Sequence, residues 1–200
     1  MRFGLDEDIS DWLGHVLVDL EPGDGVVLYT DLQQISSWIR KHNGFIVKYM
    51  GHGLMAVFAE GVDDAIQAGI LKLKQLPKFN QSRKINGDIP LNISIGIHVG
   101  DTMVGIIGDA NRVQADALSD RVNLTARLES LTKYYGVSLL ISGDVVRRLS
   151  QPAKYHIRFL ARAIVKGRQE AITVCELLDV EVEPVRSLKI QILPVFEEGH

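Results

Sequence analysis

The sequence holds one cysteine, Cys175, in 200 residues, so a single chain can close no disulfide and build no cysteine metal cluster. A reducing, cytoplasmic setting is the expectation that follows. No stretch approaches the roughly 18 consecutive apolar residues of a membrane span. Asp6, Glu7 and Asp8 stand near the N-terminus, where a secretory leader needs basic and then apolar residues. This segment is therefore expected to make no membrane contact. Positive charge is not in excess either: 22 Lys and Arg against 25 Asp and Glu give a formal net charge of -3, which argues against nucleic acid as a partner. Internal repeats and low-complexity tracts are missing, while 46% of the residues are hydrophobic, enough to fill the core of one globular domain.

What is present reads as alternating short elements. Leu28, Leu32, Ile35 and Ile39 recur at helical spacing from Val27 to Asn43, and Asn43-Gly44 supplies a stop. Two apolar runs around Gly51-His52-Gly53 predict a β-hairpin with His52 at its tip. A helix is predicted from Asp63 to Leu76, ended by Pro77, with a polar loop from Lys78 to Asp88. Leu91, Ile93, Ile95, Ile97 and Val99 alternate without a break, predicting a strand with Ser94, Gly96 and His98 on its other face. The following TMVGIIG run, after Gly100-Asp101, predicts a hairpin with that strand. A helix follows from Ser119 to Gly136 on Leu124, Leu128 and Leu131, then a strand at VSLLIS, a short helix from Asp144, and strands near IRFLARAIVKG and AITVCELL. Interleaved strands and helices imply a mixed sheet with helices packed on one side. Residues 1–178 form the expected domain, and 179–200 read as a tail or the start of a linker.

Two strings carry a resemblance. NGFIVKYMGHGLMAVF, residues 43–58, and DALSDRVNLTARLE, residues 116–129, occur in order and resemble the two signatures of class III nucleotide cyclase catalytic domains. A third element, IVKG at 164–167, is weaker. The resemblance covers roughly residues 8 to 178. It implies a ferredoxin-like α/β (α+β) sandwich with a mixed, mostly antiparallel sheet, forming a head-to-tail dimer whose sites draw on both subunits. It also implies attack of a ribose 3′-oxygen on the α-phosphate of a nucleoside triphosphate, with release of pyrophosphate, at two metal ions held by two aspartates.

Adenine offers an acceptor at N1 and donors at its amine, so a pocket that selects it needs one donor and one acceptor. Lys48 and Asp116 match the adenine-reading pair of the family, which implies ATP rather than GTP. Asn123 and Arg127 lie four apart and therefore share one helix face, off the leucine stripe. The resemblance assigns Asn123 to the ribose and Arg127 to the charge on the transferring phosphoryl group. Lys166 matches a lysine that contacts the triphosphate.

The metal pattern departs from the family. Active members carry an aspartate where His52 stands, and an imidazole cannot bridge two hard cations as a carboxylate does. Asp8, in DEDISDW, is the candidate for the other metal aspartate, following an apolar strand at Met1–Leu5. Asp31 imitates that motif but lies inside a helical pattern and is set aside. The expected cofactor is Mg²⁺ or Mn²⁺, with binding weakened by His52. Three functions stay open: a cyclase half that needs a metal-bearing partner, as a homodimer or heterodimer; an inactive pseudo-cyclase serving as a nucleotide-binding regulatory or dimerisation module; and a Mn²⁺-dependent enzyme using His52 with Asp8. His42, His98, His156, His200 and Cys175 show no paired spacing and are read as structural.

Overall fold

The computed structural model describes residues 14–20, 36–50, 53–100, 103–109, 112–118, 120–164 and 171–198. Strand β1 (Gly14–Leu20) precedes a helix, α1, described over 36–41, and the β2–β3 hairpin (Gly44–Met50 and Gly53–Phe58). Then come α2 (Val62–Asn86), β4 (Ile93–Val99), β5 (Met103–Asp109), β6 (Arg112–Leu118) and α3 (Asp120–Tyr135). The chain closes with β7 (Leu139–Ser142), α4 (Gly143–Arg148), β8 (Ile157–Ile164), β9 (Ala171–Leu177), α5 (Val185–Gln191) and α6 (Leu193–Glu198).

Seven strands form one sheet in the order β2-β3-β1-β4-β7-β9-β8, with β5 and β6 paired separately. Its pairings are antiparallel except β4 with β7, which makes the sheet mixed and mostly antiparallel. Ile93, Ile95 and Ile97 of β4 join Leu54, Ala56 and Phe58 of β3 in a core that α2 covers with Ala65, Ile66 and Leu73 and α4 with Val145. Leu140, Ile172 and Val174 belong to a second core under Leu124 and Leu128 of α3. Successive strand residues point to opposite faces, so these two cores lie on opposite sides of the sheet. Helices therefore cover both faces, which corrects the expectation of one-sided packing. Its cause is Gly96: a side chain there would put its Cβ 2.5 Å from the Glu129 backbone nitrogen and 2.7 Å from the Thr125 carbonyl oxygen. The bare glycine lets α3 lie directly on β4.

Several boundaries differ from expectation. Helix α2 runs through Pro77 to Asn86, so the loop expected from Lys78 is helical for most of its length. Proline removes one helical donor, but the far end of the helix is held by other bonds. Asn80 is bonded to both backbone groups of Leu91 at 2.8 Å, and Arg83 Nε donates to the Ile89 carbonyl at 2.7 Å. The helix stops at Gly87, whose φ of 82° is left-handed. β5 pairs with β6, not with β4, which overturns the expected second hairpin. Its true partner strand, Arg112–Leu118, has too weak an apolar alternation to read as a strand. Residues 179–200, expected as a tail or the start of a linker, carry α5 and α6.

Candidate functional site

Lys48 sits on β2, half-buried. The β2–β3 register shifts between Ile46, opposite Ala56, and Lys48, opposite Met55. This irregularity inserts Val47 and sets Lys48 at a register position on the face away from α2, a familiar use of a bulge next to a site. Asp116 lies in β6 opposite Gly105, and β6 packs against β2. The strands carrying the two expected adenine-reading residues are thus neighbours, although they lie far apart in the chain.

Asn123 and Arg127 are on α3, which packs over β4, β1 and β7. Leu124, Thr125, Leu128 and Thr132 are buried, whereas Asn123 is exposed and Arg127 half-buried. Both stand off the buried side of the helix, as the spacing predicts. Gly136, with a φ of 64°, ends the helix, and the Val137 amide closes on the Thr132 carbonyl at 3.0 Å. Lys166, His52 and Asp8 lie outside the described residues.

The strand expected at Met1–Leu5 also lies outside them. β1, between β3 and β4, is formed by Gly14–Leu20, a segment that the alternation reading passed over. Val18 pairs with Leu54 and Asp19 with Ser94, so Asp19 holds the register position beside the start of β3. The β2–β3 hairpin closes at the Met50–Gly53 pair, and His52 is one of the two residues between them. Asp19 is therefore a carboxylate that the fold places at the strand end next to the hairpin tip. The available signal was the run Val16-Leu17-Val18 leading straight into an aspartate.

The residue types differ from those of a two-carboxylate centre. Position 52 offers an imidazole where a bridging carboxylate is needed, and no group of three His, Cys, Asp or Glu gathers among the described residues. His98, set aside as structural, is fully buried, with its Nδ1 2.8 Å from Ser142 Oγ. Ser142 in turn caps α4 through the Val145 amide at 3.4 Å. Cys175 is buried, and that burial pushes its thiol up to about 11, which removes it as a nucleophile near neutral pH. No helix of the described residues is long and apolar enough to cross a membrane.

Comparison with known proteins bears on the family and the fold. An adenylate cyclase of Anabaena cylindrica is 39% identical over 145 residues, covering 70% of this chain and 29% of that protein. Adenylate cyclase 1 of Rhizobium meliloti is 32% identical over 158 residues, covering 76% of this chain and 23% of its own length. The chain thus spans less than a third of these curated relatives. Among solved structures, the adenylyl cyclase CyaB from P. aeruginosa superposes with a TM-score of 0.71 at 23% identity, over 83% of this chain and 93% of that one. A guanylate cyclase domain from Catenaria anguillulae in complex with GTP gives 0.69 at 16% identity, over 84% and 96%. These likenesses identify the fold as that of class III cyclases. The family model for the "Adenylate and Guanylate cyclase catalytic domain" matches residues 26–176, and the chain belongs to that family.

Proposed function

We propose that this chain is the nucleotide-reading half of an adenylate cyclase site, converting ATP to cyclic AMP and pyrophosphate with a metal-bearing partner subunit. The observation that carries this reading is the packing of β6 on β2, which supports a shared pocket for Lys48 and Asp116. In that pocket Lys48 donates to adenine N1 and Asp116 accepts from the exocyclic amine. Guanine presents a donor and an acceptor at those positions in the opposite sense, so both protein groups would be left unpaired, and GTP is rejected.

Asn123 orients the ribose. The 3′-oxygen forms a bond to the α-phosphorus as its proton passes to solvent water, and the bond from that phosphorus to the bridging oxygen of the leaving pyrophosphate breaks. Arg127 stabilises the charge that gathers on the phosphoryl oxygens, a task that suits its planar fork of donors. Lys166 steadies the triphosphate as a point charge. The carboxylates for Mg²⁺ or Mn²⁺ come from the partner in a head-to-tail dimer, because position 52 here is histidine and Asp19 alone makes an incomplete set. Asp19 replaces Asp8 as the carboxylate of choice on this chain.

The test is cyclic nucleotide production from ATP and from GTP, with Mg²⁺ and with Mn²⁺, by the unmodified chain and by His52→Asp. The expected result is activity on ATP in His52→Asp that disappears in His52→Asp with Arg127→Ala. Strong Mg²⁺-dependent activity of the unmodified chain alone would overturn the partner requirement. ATP binding without turnover in every combination would favour the regulatory pseudo-cyclase.

A further inference from the structure

We infer that His98 is a positioning residue: it stops α3 from sliding along β4 and so fixes Asn123 and Arg127 against the reacting nucleotide. The catalytic half of this inference rests on the cyclase reading above. Gly96 sets how deep α3 lies, with the backbone of Thr125 and Glu129 directly over it. A position without a side chain, however, gives the helix nothing to catch on along the strand. The neighbours of Gly96 on the same face of β4 are Ser94 and His98, and His98, the larger, is fully buried.

The path of the chain fixes which turn of α3 lies over His98. After Tyr135 the chain turns at Gly136 and enters β7, where Leu139 pairs with Ile95, and the Ile95 amide donates to the Ser138 carbonyl at 2.9 Å. The C-terminal end of α3 therefore lies towards the start of β4. Because β7 runs parallel to β4, α3 runs antiparallel to both. His98 lies about 7 Å beyond Gly96 along the strand, and one turn of helix covers about 5.4 Å. The turn of α3 before Thr125 is thus the one over His98, and that turn carries Asn123 on its exposed side.

The imidazole is held in place from the next strand. Its Nδ1 is 2.8 Å from Ser142 Oγ, and that oxygen accepts the Val145 amide at 3.4 Å, which leaves the hydroxyl proton to be donated to Nδ1. β7 and the start of α4 together lock the ring, as a side chain that supports a site requires. A slide of one residue would move Arg127 by about 1.5 Å, and displacement on that scale costs of the order of 100-fold in rate. Lys48 and Asp116 stand on β2 and β6, not on α3, so a slide would spare nucleotide binding and cost turnover.

Spin labels at Ser130→Cys on α3 and Lys84→Cys on α2, both exposed positions, measure the slide, because Lys84 lies near the end of α2 from which the chain turns back into β4. Cys175 is buried and gives little background labelling. His98→Ala is expected to shift or broaden the label distance by roughly 2–3 Å, about half a helical turn. His98→Asn, whose amide still reaches Ser142, is expected to restore it. Ser142→Ala keeps the ring and removes its hold; it is expected to broaden the distance less, and it decides the matter if His98→Ala does not fold. In the His52→Asp chain, His98→Ala should lower kcat for cyclic AMP formation by about 10–100-fold with KM for ATP little changed. Distances unaltered in both His98→Ala and Ser142→Ala would overturn the inference, whatever the activity. Distances that move with kcat unchanged would overturn the positioning role. Distances that move while no chain forms cyclic AMP would overturn the cyclase reading and leave His98 as the stop for α3.

Discussion

The two faces of the central sheet are built differently. Under α2 and α4 the packing is aliphatic from β3 across to β9, with Phe58, Ile66, Ile95 and Ile97 almost wholly buried. Under α3 the apolar cluster of the described residues is smaller, and polar groups share the buried space: His98 and Ser142 on the strands, and Thr125, Glu129 and Thr132 on the helix. The first face concentrates the hydrophobic contribution to stability. The second seats one helix at a fixed depth and leaves its far side free to carry Asn123 and Arg127.

That contrast can be broken at graded points, taken here by their effect on folding. Gly96→Val should be the most damaging, since the new Cβ meets α3 backbone at 2.5 Å and backbone cannot move aside as a side chain can. Destabilisation above the about 1–3 kcal/mol usual for overpacking is expected in denaturant titration, and a mild effect would mean that α3 floats on the sheet. Phe58→Ala, on the aliphatic face, should cost about 3–5 kcal/mol by the same measurement.

Cys175, also on that face, should give the folded domain an alkaline limb. Its pKa rises from 9.0 to about 11 on burial, so above pH 9 the unfolded chain releases a proton that the folded chain keeps. Stability is then fully present below pH 9 and is lost as pH rises through 11, by about 2–3 kcal/mol. Melting temperature plotted against pH for Cys175→Ala should be flatter over that window. Arg127→Ala should have the least effect on folding, within about 0.5 kcal/mol. In a mixture with a metal-bearing partner domain it should still reduce cyclic AMP formation by at least about 100-fold. Equal losses of stability and activity would erase the distinction between the two faces.

The faces also differed in how far the sequence disclosed them. Strong alternation in β4 and the leucine stripe of α3 are local periodic signals, and both elements lie where that periodicity puts them. Lys48, Asn123 and Arg127 were singled out by the two family-like strings that carry them, not by the periodicity of those segments. β1 was not: Gly14 and His15 interrupt its apolar character at one end and Asp19 at the other, and its strand state depends on β3 and β4, which lie much later in the chain. β6 fails for a related reason, since its small apolar residues Ala115 and Ala117 carry little pattern without β5 beside them. The passage of α2 through Pro77 depends on Asn80 and Arg83 gripping the returning segment at 89–91, a tertiary contact with no local signature. Covering of both faces follows from Gly96, where what matters is the absence of a side chain.

The position of β1 between β3 and β4 bears on how the chain reaches this state. Gly14 finds Phe58 on one side and Val99 on the other, so one edge of the strand stays open until residue 58 has been made and the other until residue 99. Until then the β2–β3 hairpin has no strand through which to join the rest of the sheet. Late closure of this kind slows assembly through its long-range contacts and leaves unpaired edges exposed to other nascent chains.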